Sequence, residues 1–197
     1  MTIRHLDNVF KPKSIALIGA SDKPGSIGAI LAENLLAAGF KGEVMPVNPK
    51  YGEIRGRKAY PDVASLPQAV DLGVICTPAD AVPGIIEALA IRGVRGALVI
   101  TAGFGERHEA HGIELQQAVS KAAKSGQVRV VGPNCLGIMV PKIGLNASFA
   151  HLIAKGGALA FVAQSGAIVT SVLDWADARG IGFSHLVSLG DMVDVDF

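Results

Sequence analysis

Short apolar runs recur along the chain. Each gives way to a polar, glycine-bearing turn and then to a stretch whose apolar residues fall three and four apart. Residues 15–18, 43–47, 71–77, 96–100 and 128–131 read as strands of nearly continuous hydrophobicity, as parallel strands covered on both faces do. The intervening stretches predict helices over 27–38, 81–91 and 109–124, stopped by Gly39, Gly93 and Gly126. The first helix carries Ile27, Ile30, Leu31, Asn34, Leu35 and Leu36 at the spacing of one buried face. The last is expected to bury Ile113, Leu115, Val119 and Ala122, and Asp80 stands where it would cap the middle helix. Leu6, Val9 and Phe10 predict a helical turn ahead of the first strand, and 63–66 a short helix. Strands and helices in this alternation call for an α/β fold, a doubly wound parallel sheet of Rossmann-like type. Ligands of such sheets lie outside the strand carboxyl ends, here the loops at Ser21, Asn48, Thr77, Thr101 and Asn134.

The pattern weakens over 142–154, which reads as a linker, and divides the chain into a first domain, 1–141, and a second, 142–197. The cycle then restarts with a strand at 158–162, a turn at 163–167, a helix ending near Ala178 and a strand at 183–189. One β-α-β unit is too small to bury its own core. The second domain is therefore expected to be incomplete. Its helix face of Val169, Val172, Leu173 and Trp175, and the edge of its second strand, are left for other structure to cover.

Half of the 197 residues are hydrophobic and 18% are charged, enough apolar material for a sizeable core and too much for disorder. A formal net charge of +1 gives no basic field of the sort that holds nucleic acid non-specifically. No apolar run approaches the roughly 20 residues that span a bilayer, and the N-terminus lacks a signal peptide's apolar core. Cys76 and Cys135 stand apart within apolar segments, giving neither a disulfide framework nor a metal pattern. The expectation is a cytoplasmic protein without a metal and without a nucleic-acid or membrane partner.

Candidate chemistry is densest over 14–28, SIALIGASDKPGSIG. An apolar strand runs into Gly19, a polar loop passes through Ser21, Gly25 and Ser26, and a helix opens near Ile27 ahead of Gly28. Unpaired amides and the positive end of the helix dipole favour an anion there, so the loop suits a diphosphate without a dedicated cation. Gly19 permits the tight turn, and Gly25 and Gly28 let ligand and strand approach the backbone. Valine at either is expected to abolish binding with modest effect on the fold. The glycine spacing departs from GxGxxG, and the second strand ends in Asn48-Pro49-Lys50 where an NAD site places an acid for the ribose. Losing the acid and gaining Lys50 disfavours NAD and suits a nucleotide with an extra phosphate, NADP or coenzyme A. Lys50, Arg55, Arg57 and Lys58 form a basic run that is either a solvated loop or the receiver of a ribose 3′-phosphate.

Residues 132–137, GPNCLG, form a rigid corner closing the fifth strand, and Asn134 can bond the backbone there. Cys135 has no His or Asn partner by spacing, so it is not read as a nucleophile. Residues 162–167, VAQSGA, lack the glycine before serine that a nucleophile elbow requires. They read instead as an anion site made of the Ser165 hydroxyl and the amides of Gly166 and Ala167. His108 and His111 have a metal-compatible i, i+3 spacing, but Glu106 and Glu109 are the only further ligands in view, and a solvated helix start is the preferred reading. No residue of the chain is assigned a catalytic role.

Taken in order, PKSIALIGAS…GSIG, PVNPKYGEIRG, CTPAD, ITAGFGE, VVGPNCLG and FVAQSGA resemble the CoA-binding half of NDP-forming acyl-CoA synthetases, including acetate–CoA ligases. The layout is similar to the succinyl-CoA synthetase α-subunit and to the synthetase-like part of bacterial protein lysine acetyltransferases. The resemblance implies a CoA-binding Rossmann-like domain followed by the beginning of a flavodoxin-like one. It implies that residues 19–28 hold the CoA diphosphate and that Asn48 to Tyr51, with Lys50, lie by the adenosine. By the same resemblance Thr77, Pro78, Thr101, Ala102, Gly103, Asn134 and Cys135 line the pantetheine and thiol end. Ser165 and Gly166 match a helix N-terminus that receives a phosphorylated histidine. That histidine and a nucleotide-grasp domain have no counterpart in these residues. ADP or ATP and Mg are therefore expected only through other domains or a subunit, and the complete protein is expected to be an oligomer. The implied overall reaction is acyl-CoA + ADP + phosphate to acid + CoA + ATP, of which this stretch would bind CoA without turnover. Two rival expectations are an acyl-CoA-sensing regulatory domain of a protein lysine acetyltransferase and an NAD(P)-binding redox sensor.

Overall fold

Alternation along the first strand sorts the molecule into layers. The computed structural model describes residues 3–105 and 110–197, so Glu106, His108 and Glu109 of the metal reading lie outside the described residues. After α1 (Leu6–Phe10), β1 (Ser14–Ile18) buries Ile15 and Leu17 in one apolar cluster and Ala16 and Ile18 in another. Successive strand side chains point to opposite faces, so both faces of the sheet are covered. There follow α2 (Ile27–Ala37), β2 (Glu43–Val47), a small hairpin of β3 (Glu53–Ile54) and β4 (Arg57–Lys58), and β5 (Leu72–Ile75). α3 (Val82–Ile91), β6 (Gly96–Val99), α4 (Ala110–Gly126) and β7 (Arg129–Val131) complete the first lobe. The main strands pair in the order β2-β1-β5-β6-β7, all parallel. This is the Rossmann-like sheet that the periodicity predicts.

α3 and α4 pack together over one face, where Ile86, Leu89 and Val119 meet Ile75 and Val99. On the other face Leu31 and Leu35 of α2 meet Leu17 and Val74. Ile27 and Ile113, expected inside, are exposed. α2 lies down on Gly28, Ala29, Leu31, Ala32 and Leu35, and α4 on Gly112, Val119, Ala122 and Ala123. Small residues let these helices approach closely, which turns the bulkier isoleucines outward. Asp80 is not a cap. It sits in a 3-10 turn, Ala79–Ala81, whose N-cap is Pro78, and its carboxylate lies 2.7 Å from His111 Nε2 on α4. Residues 63–66 make a turn rather than a helix. There the Ser65 N–H donates to the Asp62 carboxylate at 2.8 Å, holding that carboxyl below its ordinary pKa.

The largest departure from expectation is at 142–154. In place of a linker, β8 (Gly137–Val140), a 3-10 turn at Pro141–Ile143 and β9 (Leu145–Ser148) form an antiparallel hairpin whose strand residues are all buried. β10 (Gly156–Ala163), α5 (Gly166–Asp177) and β11 (Phe183–Ser188) complete a mixed sheet of order β10-β11-β8-β9. Ile138, Val140, Leu145 and Ala147 enter the cluster on the α2 face of the first sheet, so the hairpin packs the two sheets together. Leu136 and Met139 join the cluster of Val169 and Leu173. The inner face of α5 is thus covered within this chain, contrary to expectation. Trp175 stays 53% exposed, with Arg179 4.7 Å above its ring. The edge of β11 is likewise occupied, by β8, and within this sheet β10 is the strand with exposed residues.

Beyond β11 the chain runs back along β7. The Asp191, Val193 and Val195 amides donate to Pro133, Gly132 and Val130 carbonyls at 2.9–3.1 Å. Arg129 Nε donates to the Asp194 carboxylate at 2.8 Å, their side chains 9% and 22% exposed. A charge-assisted bond so shielded contributes about 1.5–3 kcal/mol. Among the described residues no helix is long and apolar enough to cross a membrane, and no metal-binding group of His, Cys, Asp or Glu occurs.

Leu145 tests the hairpin directly, being 1% exposed between the sheets. Leu145→Ala is expected to lower unfolding free energy by about 3 kcal/mol, read from the denaturant midpoint. A change below about 0.5 kcal/mol, as at an exposed linker position, would contradict this packing.

Candidate functional site

The carboxyl ends of the parallel strands bring together the turns the sequence singles out, and backbone proximity decides their shapes. A Cβ on Gly28 would fall 2.2 Å from the Gly19 carbonyl oxygen, so the first turn of α2 rests on the end of β1 through bare backbone. Gly19 has φ +95°, and a Cβ there would meet the Cys76 carbonyl carbon at 2.9 Å. Gly25 has φ +74° with open space beside it. It is required by conformation alone. Ser26 is the N-cap of α2, accepting from Ala29 N–H at 3.3 Å and donating to Lys23 O at 2.8 Å. Ser21 Oγ accepts from the Lys23 amide at 2.9 Å and lies 3.2 Å from the Tyr51 hydroxyl. Asn48 is a strut: its Nδ2 donates to Ala20 O at 2.7 Å, and its Oδ1 accepts from the Lys50 amide at 2.9 Å.

Two cavities open along this edge and share Cys76 and Thr77. The larger, about 770 Å³, is lined by Gly19, Asn48, Lys50, Thr77 and Pro78 among the expected residues, with Val63, Ile85 and Ala88 as apolar wall. The smaller, about 580 Å³, takes in Thr77, Thr101, Ala102, Asn134, Cys135 and Gly166, and among the described residues lining it no side chain is charged. Ser21, Gly25, Ser26, Gly28, Gly103 and Ser165 line neither; the first four shape the loop ahead of α2, and Ser165 precedes Gly166 at the N-terminus of α5. The basic run disperses. Arg55 pairs with Asp22 and Glu33, Arg57 donates to Val44 O, Lys58 lies over the Tyr60 ring, and only Lys50 faces a cavity.

Thr101 Oγ1 donates to Thr77 O at 2.7 Å, locking two of the turns together. Thr77 Oγ1, at the junction of the cavities, is buried without a hydrogen-bond partner. Asn134 holds φ +56° in the corner after β7. Its amide donates to Thr101 O at 2.8 Å, while its side chain reaches Asp191 rather than the backbone. Both thiols are fixed as hydrogen-bond donors, Cys76 Sγ to Ile18 O at 3.4 Å and Cys135 Sγ to Val99 O at 3.2 Å. Burial pushes each up to about 12, which suits a packing role and not a nucleophilic one. None of the described histidines lines either cavity: His111 and His151 pair with Asp80 and Asp174, His5 accepts from Arg4, and His185 lies beside Phe10.

Sequence reasoning missed Ile27, Leu136, Phe149 and Thr170 in the smaller cavity. The signal for Phe149 was present in the strict alternation Leu145-Asn146-Ala147-Ser148-Phe149, which is strand period two. Asn146 and Ser148 disguise it, because both polar side chains are as buried as the apolar ones.

Residues 13–141 match the CoA binding domain family, and residues 156–197 match the succinyl-CoA ligase like flavodoxin domain. The chain is 41% identical to ADP-forming acetate–CoA ligase I of Archaeoglobus fulgidus, over 97% of this chain and 27% of that protein. It is 40% identical to the α subunit of ADP-forming acetate–CoA ligase I of Pyrococcus furiosus, over 97% of this chain and 42% of the subunit. A solved structure of dinucleotide forming acetyl-coenzyme A synthetase 1 from Ca. Korarchaeum cryptofilum, in complex with phosphate and ADP, superposes with TM-score 0.92. Its identity is 40%, covering 97% of this chain and 40% of that one. The chain therefore spans well under half the length of these relatives.

The two loop glycines are expected to separate on substitution. Gly28→Ala must displace the Gly19 backbone and should cost about 3 kcal/mol of stability, whereas Gly25→Ala should cost about 1 kcal/mol, through its positive φ. Equal denaturant midpoints for the two variants would contradict this division. For the cysteines, ionisation above 9.0 in the unfolded chain and near 12 in the folded one makes stability fall as pH rises across that window. Burial holds Cys135 protonated in the folded chain, so iodoacetamide should label it after unfolding and scarcely before. Rapid labelling of the native protein, read by mass, would reject the buried-thiol assignment.

Proposed function

The chain belongs to the CoA binding domain family, and from that premise we propose that it holds coenzyme A or an acyl-CoA thioester as the N-terminal part of an ADP-forming acyl-CoA synthetase. The observation that carries the reading is the pair of cavities meeting at Thr77 across the strand ends, a groove for a long ligand with unlike ends. The adenosine lies in the larger cavity against Val63, Ile85 and Ala88, with Asn48 setting the floor and Lys50 on the ribose 3′-phosphate. The diphosphate takes amides of the loop between Gly19 and Ser26, whose own N–H groups donate to Val47 O and Lys23 O, and the N-terminus of α2, where the helix dipole favours negative charge. Gly28 contributes by letting α2 approach β1, so its effect on the ligand is indirect.

Pantetheine then passes Pro78 and Thr77, whose unpartnered hydroxyl fits an amide of the chain. It continues by Thr101, Ala102 and Gly103 to Asn134 and Cys135. The thiol end faces the start of α5, where Ser165 and the Gly166 amide form an anion site for a phosphoryl group. The complete reaction, acyl-CoA + ADP + phosphate to acid + CoA + ATP, needs a phosphohistidine and a nucleotide site, with ADP or ATP and Mg, in further domains or a partner subunit. On this reading residues 1–141 form the CoA-binding domain and residues 142–197 the first part of the ligase domain. On this reading the stretch binds CoA without turning it over.

Titration calorimetry on the chain tests this. CoA and desulfo-CoA should bind with similar affinity, and Lys50→Ala should weaken CoA about tenfold, or 1.4 kcal/mol, while leaving dephospho-CoA unchanged. Equal losses for both ligands would remove Lys50 from the 3′-phosphate. Binding of NADPH with no heat from CoA would overturn the coenzyme assignment.

A further inference from the structure

Ser188, the last residue of β11, is fully buried, and its neighbours Val187 and Leu189 are buried and apolar. A hydroxyl in such a place has to be satisfied by the protein, and its two partners lie in different lobes. Ser188 Oγ accepts from the Leu136 amide at 3.1 Å, in the corner after β7, and donates to Gln164 O at 3.4 Å, in the turn ahead of α5. The backbone that follows repeats the pattern. The Leu189 and Gly190 amides donate to Ala163 O and Gln164 O at 2.9 and 3.1 Å, and the Asp191 amide donates to Pro133 O at 2.9 Å. Gly190 has φ +60°, and a Cβ on it would fall 2.0 Å from Pro133 O, so the strand end rests on the corner through bare backbone. A Cβ on Gly166 would lie 3.0 Å from Leu136 Cβ, which sets the first residue of α5 against the same corner.

Both sets of partners belong to walls of the smaller cavity. Asn134, Cys135 and Leu136 come from the corner, and Gly166, Ala167 and Thr170 from α5. The strand end is bonded to both, so the gap between these walls depends on it as well as on the two turns. The bonds of Ser188 come from its side chain, so a single substitution removes them and leaves the backbone ladder in place. Without the hydroxyl, the buried Leu136 N–H loses this acceptor, and the corner can shift relative to α5. We infer that Ser188 is a positioning residue, whose hydroxyl holds the corner after β7 and the start of α5 at the spacing that the pantetheine arm of the coenzyme requires. The inference rests on the coenzyme reading above and adds the group that sets the thiol end of the groove against α5.

Calorimetry with CoA and adenosine 3′,5′-bisphosphate, which has the adenosine end and no pantetheine, tests this on the chain and its variants. The unmodified chain should bind CoA at least about tenfold more tightly than the bisphosphate. Ser188→Ala should cut that ratio about fivefold and leave the bisphosphate within about twofold of its original affinity. General destabilisation would weaken both ligands alike and leave the ratio where it was. Ser188→Cys, similar in size with a weaker donor, should give an intermediate ratio, and it carries the test where Ser188→Ala does not fold. A ratio unaltered in the variant, or equal losses for both ligands, overturns the positioning role while CoA binding stands. No heat from CoA with the unmodified chain overturns the coenzyme reading and this role together.

Discussion

The contact between Gly19 and Gly28 sets the position of everything at the strand ends. A helix can begin this close to a strand only where neither side carries a Cβ at the crossing, and a virtual Cβ on Gly28 would sit 2.2 Å from Gly19 O. That contact fixes the first turn of α2, with its unpaired amides, at the mouth of the groove. It also fixes the rest of the helix. Asn34 stands about 10 Å further along the axis from Ile27, and there it grips the backbone around Phe149. One rigid element thus presents an anion-binding end to one part of the groove and supports a wall of the other.

The two sheets are joined by more than a covalent crossover. The β8–β9 hairpin supplies Ile138, Val140, Leu145 and Ala147 to the same cluster that holds Leu17 and Leu35. The segment after β11 returns to bond β7, and the Arg129–Asp194 pair closes that return where water has little access. Removing either partner would leave a largely shielded charge without its counter-ion, which is costly compared with an exposed pair. The smaller cavity lies between the lobes thus joined, with Thr77 and Thr101 from the first sheet and Gly166 and Thr170 from α5. Its shape therefore depends on that packing as much as on any loop.

Much of this was legible in the sequence because parallel strands are apolar on both faces and their turns are marked by glycine. The five-strand core, the loops at its carboxyl edge and the helix starts at Ile27 and Gly166 follow from those signals. The β8–β9 hairpin was not legible for a specific reason. Asn146 and Ser148 look like solvent-facing residues, yet both are 1% exposed and bond locally, Ser148 Oγ to Asn146 Oδ1, so polarity stopped reporting exposure. Asp80 was misread for a related reason: local position suggested a cap, whereas its partner is His111, far along the chain. The basic run failed similarly, since Arg55 and Arg57 find Glu33 and Val44 O through the fold. Periodicity reports which face is buried; it does not report which distant residue a polar side chain will meet.

The groove is electrically asymmetric, and on the proposed reading this gives the ligand a direction. Lys50 and Asp62 stand in the larger cavity, and among the described residues lining the smaller one no side chain is charged. Its two thiols are held protonated by burial, so they add no charge near neutral pH. Entered the other way round, the ligand would leave a ribose 3′-phosphate without a cationic side chain among the described lining residues and expose an apolar acyl chain to Lys50. Desolvating an unpaired phosphate costs several kcal/mol, more than the acyl contacts would return. The diphosphate needs no lysine in either orientation, because backbone amides and the end of α2 serve it. A net charge of only +1 over the chain is therefore no obstacle to binding a polyanion: on the proposed reading the positive ends are backbone, with Lys50 the cation offered to the ribose 3′-phosphate.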